Sequence, residues 1–291
     1  MTGFSSEWLA LREPADHAAR DPGLVAELAR TLAEHAEVRV VDLGCGAGSN
    51  LRGLAPHLGP RQSWRLVDYD PALLAAARNA LLDWADHWDT EGEALVLTRD
   101  EKRIRVAFAA LDLSAGLGGA IDPAAKPDLV TAAALFDLVS KPWIDDFVRS
   151  VAEAGSVFYT ALSYDGAETW DPPHPDDGAM HAAFLAHQSS DKGFGAAMGP
   201  GATAALADAF RQHGYDVVSA SSPWRLGPGH PDLIRQLKDG KAAAAAETGL
   251  MAPGAIDDWS AARSRPGTAV LVGHADLLAV PPQSRLASRN G

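Results

Sequence analysis

Short apolar runs alternate along the chain with longer stretches whose apolar positions recur at helical spacing. Residues 7–36 carry Trp8, Leu9, Leu11, Leu24, Val25 and Leu28 in such a pattern, with Pro14 and Pro22 dividing the segment. Val38–Leu43 is a compact apolar run ending in Asp42 and a glycine cluster, the pattern of a strand buried on both faces. Ser49–Leu58 follows as a helix, with Ser49 or Asn50 at its N-cap. Trp64–Tyr69 reads as a second strand. Asp70-Pro71 then opens a helix with a cap residue and a proline at its first position, and that helix is expected to run to about Trp88. Ala94–Thr98 and Ile104–Ala109 flank the polar Arg99–Arg103 as a hairpin. Asp128–Ala134, Pro142–Ala152 and Gly155–Leu162 continue as strand, helix and strand. Strands alternating with helices predict an α/β fold with a doubly wound, mostly parallel sheet and helices on both faces.

The alternation loosens after Ser163. Tyr164–Gly178 holds three prolines, four aspartates and two glycines and is expected to be a surface loop or lid. Ala179–Gln188, Ala202–His213, Pro231–Thr248 and Ala255–Arg263 read as helices, Tyr215–Ala220 and Thr268–Val280 as strands. The expected organisation is an N-terminal helical lid over 1–37 and one domain over 38–291, with a cap inserted around 164–205 and extra helices around 231–264. The C-terminal helices are open to two uses, a lid or a homodimer interface.

Charge and composition narrow the function. Lys and Arg number 25 against 38 Asp and Glu, a formal net charge of −13, so the long-range field repels nucleic-acid phosphates and anionic membranes. A single cysteine, Cys45, excludes an intrachain disulfide framework and a multi-cysteine zinc site. The start Met1–Trp8 lacks a basic segment followed by an apolar run, and Val270–Val280 is broken by Gly273, His274 and Asp276. A cytoplasmic protein without membrane or metal partners is therefore expected. His181 and His187 are six apart, the wrong spacing for one helical face.

The densest chemical signal is Val40-Val41-Asp42-Leu43-Gly44-Cys45-Gly46-Ala47-Gly48-Ser49-Asn50 between a strand and a helix. Its glycines follow G-x-G-x-G, which differs from the dinucleotide fingerprint, and no Gly-Lys-Ser/Thr follows, which excludes a nucleotide P-loop. Glycines there permit a tight turn and close approach of a ligand to backbone amides.

From this loop onward, residues 38–163 resemble the class I S-adenosylmethionine-dependent methyltransferases, in four elements that fall in the right order. The resemblance implies a seven-stranded sheet with an antiparallel last strand, and S-adenosyl-L-methionine as cofactor. Asp42, Gly44, Gly46, Gly48 and Asn50 would surround its methionine portion. Asp68, at the end of the second strand beside Tyr69, matches the acidic residue that accepts hydrogen bonds from both ribose hydroxyls. Asp112 matches the residue that binds the adenine amino group, with Leu113 supplying the amide that faces the ring. Pro127–Leu138 matches the fourth strand and the loop beside the reactive methyl, where Ala132 and Ala133 allow close approach. N-terminal helices cover the cofactor in many such enzymes, which makes Arg20 or Arg12 a partner for the methionine carboxylate.

The fourth element lacks the Asn/Asp-Pro-Pro-Tyr/Phe of nucleic-acid amino methylation, and Cys45 inside the glycine loop is a packed residue, not a nucleophile. The expected activity is methyl transfer to a small-molecule acceptor. An RNA or protein methyltransferase and a non-catalytic cofactor-binding subunit are the alternatives. Asp137, Tyr164 and His181 are the candidate acid–base residues. Asp191–Gly195 and Met198–Gly201 form a glycine-rich pair with the composition of a flap or a plain loop.

Overall fold

A computed structural model describes residues 5–122 and 124–282. The chain begins with α1 (Ser6–Ala19) and α2 (Pro22–Thr31), then β1 (Val38–Leu43), α3 (Ser49–Leu54), β2 (Arg61–Asp68) and α4 (Pro71–Trp84). β3 (His87–Glu91), β4 (Ala94–Arg99), β5 (Lys102–Ala110), β6 (Leu129–Ala133), α5 (Lys141–Ala154) and β7 (Val157–Asp171) follow. The second half contains α6 (Asp177–Gln188), α7 (Ala202–Gln212), β8 (Asp216–Ser221), β9 (Trp224–Leu226), α8 (Pro231–Thr248), α9 (Pro253–Arg263) and β10 (Ala269–Val280). The C-terminal nine residues of the expected domain lie outside the described residues.

The strands form one sheet in the order β3-β4-β5-β2-β1-β6-β7-β10-β8, with β9 paired to β10. From β5 to β7 every pairing is parallel; β10 runs antiparallel to β7, β8 and β9. The expected seven strands are thus the run β5 to β8, and the sheet has ten because β3 and β4 extend one edge and β9 pairs onto β10. The chain reverses around β1, so the carboxyl ends of β1 and its neighbours open onto a crevice where the strand order switches, the usual ligand position in such sheets.

Alternation along β1 divides the core. Val38 and Val40 pack with α2, α3 and α4, while Val41 and Leu43 pack with α5 and α7. The second layer is aromatic: Phe147 and Phe158 lie 5.0 Å apart, and Phe158 stacks on Phe210 at 5.0 Å. Buried Asp276 on β10 ties the N-terminal helices to the sheet. Its carboxylate accepts from the Asp21 amide at 3.0 Å, the Tyr159 hydroxyl at 3.1 Å, the Leu162 amide at 3.0 Å and the Ser222 hydroxyl at 2.6 Å.

Several local expectations are corrected. Pro14 does not divide the N-terminal segment; it sits inside α1, where it and Ala10 are exposed, so the carbonyl freed by the missing N–H meets water. The break falls at Asp21-Pro22, where the Asp21 carboxylate caps the Leu24 amide at 2.8 Å. Neither Ser49 nor Asn50 caps α3: Gly48 does, in a left-handed conformation without a side-chain bond, because both side chains bond elsewhere. The helix expected to reach Trp88 stops at Trp84. Arg99 binds the Trp84 carbonyl at 2.8 Å and Asp86 takes the Asp100 amide at 2.9 Å, which draws the following residues into the hairpin as β3. The expected lid or loop after Ser163 is, through Asp171, a continuation of β7 paired to β10, with Tyr164 opposite His274.

Candidate active site

Backbone geometry shapes the floor of the crevice. Gly44, Gly46 and Gly48 all have positive φ, at 60°, 51° and 76°. A Cβ on Gly46 would stand 2.9 Å from Leu9 Cδ1 of α1, so a side chain there would strain the backbone and push the Leu9 tip aside. Asp68 fixes the turn from the side: one carboxylate oxygen accepts from the Gly46 amide at 2.9 Å and the other from the Asp70 amide at 3.0 Å. Burial raises the Asp68 carboxyl above its usual range, opposed by those two amides. Asp70 is the cap expected of it, accepting from the Ala72 amide at 2.8 Å.

The other wall comes from α1. Arg20, 8% exposed, donates to Asn50 Oδ1 at 2.7 Å, and Asn50 donates to Asp42 Oδ1 at 2.7 Å and Thr131 Oγ1 at 3.1 Å. Three polar atoms of this network are buried without a partner: Nε and Nη1 of Arg20, and Oδ2 of Asp42. Buried donors and acceptors in native proteins are nearly always paired with protein, water or ligand, so this network leaves room for a further polar partner. Burial raises the Asp42 carboxyl to about 7, against the Asn50 hydrogen bond and the Arg20 charge. α1 is held down by His17 Nε2, 3.1 Å from Ser49 Oγ, and by Arg52 donating to Glu13 at 2.8 Å.

The resulting cleft is lined by most of the residues expected at a cofactor site. Arg20, Gly44, Gly46, Asn50, Asp68, Tyr69, Asp112, Leu113 and Ala133 all face it. Asp42, Gly48 and Ala132 lie just behind the lining, Asp42 bonded to Asn50 and Ala132 fully buried. Asp112 is exposed and caps the short turn after it, accepting from the Ser114 amide at 2.8 Å. Cys45 is buried, and burial with the charges of Asp42 and Asp68 pushes its thiol up, which suits a packed residue and not a nucleophile.

The acid–base candidates stand one layer back. Asp137 sits between Phe136 and Leu138, of which Leu138 faces the cleft. Its Oδ1 is buried without a partner, and burial raises its carboxyl to about 6 against the nearby Arg12 charge and the Tyr164 amide. The Tyr164 hydroxyl is also unpartnered, and burial beside carboxylates keeps it protonated far above the ordinary range. His181 lies on α6 with Nδ1 buried and unpartnered, away from the cleft lining. Sequence reasoning places Leu9 and Asp16 only as part of an N-terminal lid, with no role of their own, and misses His274. Asp16 has a signal in hindsight, as the i+4 partner of Arg12 at 2.8 Å; His274 has none, because only the β7–β10 register brings it to Tyr164.

No family model and no curated protein matches the chain. Among solved structures, a cyclopropane-fatty-acyl-phospholipid synthase-like protein from Lactobacillus casei ATCC 334 is 16% identical, with 95% of this chain and 94% of that one covered at a TM-score of 0.53. A putative methyltransferase from Bacillus halodurans C-125 is 12% identical, with 89% of this chain and 99% of that one covered at 0.51. Strand order, antiparallel β10 and these likenesses agree: the chain has the Rossmann-like class I methyltransferase fold.

Proposed function

We propose that the protein is an S-adenosylmethionine-dependent methyltransferase acting on a small-molecule acceptor. The observation that carries this reading is the pair of unpartnered Arg20 nitrogens buried at one end of a cleft whose other end presents Asp68. A guanidinium with two free donors suits a carboxylate, and a carboxylate suits a vicinal diol. In this reading Arg20 holds the methionine carboxylate, Asp42 and Asn50 set the orientation of Arg20, and Gly44, Gly46 and Gly48 let the ligand approach the backbone. Asp68 with Tyr69 takes the ribose, Asp112 and the Leu113 amide the adenine, and Ala132 and Ala133 leave room at the reacting end.

When bound, the cofactor supplies a methyl on a positively charged sulfur, the group that a nucleophile displaces. The chain's part is to position the acceptor and exclude water. α1 performs the second task as the lid, since Leu9, Arg12, Asp16 and Arg20 line the cleft from above. In this reading Asp137, next to the cleft-lining Leu138 and with its carboxyl raised by burial to about 6, takes the proton of the acceptor, and the Tyr164 amide holds the carboxylate from behind. His181, with its unpartnered Nδ1, is the remaining candidate for carrying the proton away.

Isothermal titration with S-adenosylmethionine, S-adenosylhomocysteine and, as control, NAD tests the reading. Micromolar binding of the first two without NAD is expected. Absence of both would overturn it.

A further inference from the structure

Arg20 stands in a break of the chain. α1 ends at Ala19 and α2 opens at Pro22, so Arg20 and Asp21 form the joint between the two helices. The sheet holds that joint: the Asp21 amide donates to Asp276 Oδ2 on β10 at 3.0 Å. The same oxygen accepts from the Tyr159 hydroxyl of β7 at 3.1 Å. That hydroxyl lies close enough to the Arg20 guanidinium to feel its charge, which opposes the rise that burial and Asp276 give it. Arg20 is therefore flanked, on its backbone side and on its side-chain side, by groups that Asp276 holds.

The carboxylate itself is fixed from the other side. Asp276 Oδ1 accepts from the Ser222 hydroxyl at 2.6 Å and the Leu162 amide at 3.0 Å. The β7–β10 register slips at this point, so that Ala161 and Leu162 together stand opposite Asp276 alone. Leu162 takes a φ of 61°, a left-handed backbone rare for leucine, and its amide turns onto the carboxylate. A strained conformation of this kind persists only where its surroundings hold it. Two donors on each oxygen thus leave the fully buried Asp276 side chain a single orientation. A buried carboxylate is costly to place, and packing at this position needs none. What its second oxygen holds is the joint that carries Arg20.

Resting on the methyltransferase reading above, we propose that Asp276 is a positioning residue for the cofactor. Acting through the Asp21 amide and Tyr159, it sets Arg20 so that the two free guanidinium nitrogens meet the methionine carboxylate. Asp276 touches no ligand itself. Asn50 fixes the far end of the Arg20 side chain, at Nη2, and the Asp276 network fixes the joint from which that side chain springs. A guanidinium offers its two-pronged geometry to a carboxylate without further ordering cost only when both ends are held.

Calorimetry on the full chain with two ligands separates positioning from folding. 5′-Deoxy-5′-methylthioadenosine keeps the adenine, ribose and thioether of S-adenosylhomocysteine and lacks its carboxylate. Tyr159→Phe, which removes one hydroxyl, is expected to weaken S-adenosylhomocysteine by about fivefold, the scale of one hydrogen bond, and methylthioadenosine by less than about twofold. Asp276→Asn leaves one oxygen for four donors and should weaken S-adenosylhomocysteine further while again sparing methylthioadenosine. In an Arg20→Ala background, Tyr159→Phe should cost S-adenosylhomocysteine nothing more, because the effect runs through Arg20. If Asp276→Asn does not fold, Tyr159→Phe and the double variant decide alone. Equal weakening of both ligands by Tyr159→Phe, no weakening of S-adenosylhomocysteine, or additive losses in the double variant overturns the proposal and leaves the cofactor reading intact. Failure of S-adenosylhomocysteine to bind the parent protein overturns both.

Discussion

Arg20 donates to the side-chain oxygen of Asn50 at 2.7 Å, joining the end of α1 to the first turn of α3. The contact places a cation over the glycine loop while leaving two of its nitrogens without partners. If those nitrogens hold a carboxylate, Arg20→Ala should weaken S-adenosylhomocysteine binding by about tenfold or more, the worth of a charge-assisted pair. Arg20→Lys should recover only part of it, because an ammonium cannot present the two-pronged geometry. Equal affinity of the alanine variant and the parent in calorimetry would remove Arg20 from the site.

Asp68 has a double role, and substitution can separate the two. Its carboxylate takes the Gly46 and Asp70 amides. Asp68→Asn keeps one oxygen for an amide but loses the charge, and Asp68→Ala loses both. Cofactor affinity should fall by more than about tenfold in the alanine variant and by less in the asparagine variant. Adenine alone should bind the parent and Asp68→Asn with the same affinity, since it has no ribose. Loss of adenine binding as well would mean that Asp68 acts only by shaping the loop.

The sheet was readable because parallel strands buried on both faces are continuous apolar runs, as in Val38–Leu43 and Leu129–Ala133. The floor of the cleft was readable for a related reason: a turn that needs three positive φ angles has to be written in glycine, and Asp68 ends β2 while Asp112 stands just after β5. What stayed hidden depends on contacts between distant elements. β7 continues to Asp171 because β10, a hundred residues later in sequence, pairs with it; nothing local to Tyr164–Asp171 signals a strand. His274 comes to face Tyr164 only through the β7–β10 register, and spacing along the chain carries no trace of that. Helix ends slipped wherever a side chain was recruited elsewhere, as Asn50 was by Asp42.

Gly46 offers a test of the fit between α1 and the loop. Gly46→Ala faces two costs, a left-handed backbone at φ 51° and a Cβ 2.9 Å from Leu9 Cδ1. The backbone cost alone is about 1–2 kcal/mol. Adding Leu9→Ala removes the contact but not the backbone strain, so the double variant should be more stable than the two single losses predict when added. Urea denaturation of the four proteins measures this coupling. Simple additivity would show that Leu9 does not press on the loop in solution.

Asp42 makes stability depend on pH in an unusual direction. Its carboxyl is raised to about 7 in the folded protein from an ordinary value of 3.8, mainly by burial. Between those values the folded chain keeps a proton that the unfolded chain has released. The contribution of this group is therefore greatest below about pH 4 and is lost as pH rises through about 7. Asp42→Asn removes the titration while keeping an oxygen to accept from Asn50 Nδ2. Its stability advantage in chemical denaturation should be near zero at pH 4 and reach roughly 2–4 kcal/mol at pH 8, by the energy of the shift. Cofactor affinity should fall at the same time, because Asp42 and Asn50 together orient Arg20, so the variant gains stability and loses binding. An advantage that is flat with pH would mean that the Asp42 carboxyl titrates in its ordinary range and that water reaches the base of the glycine loop.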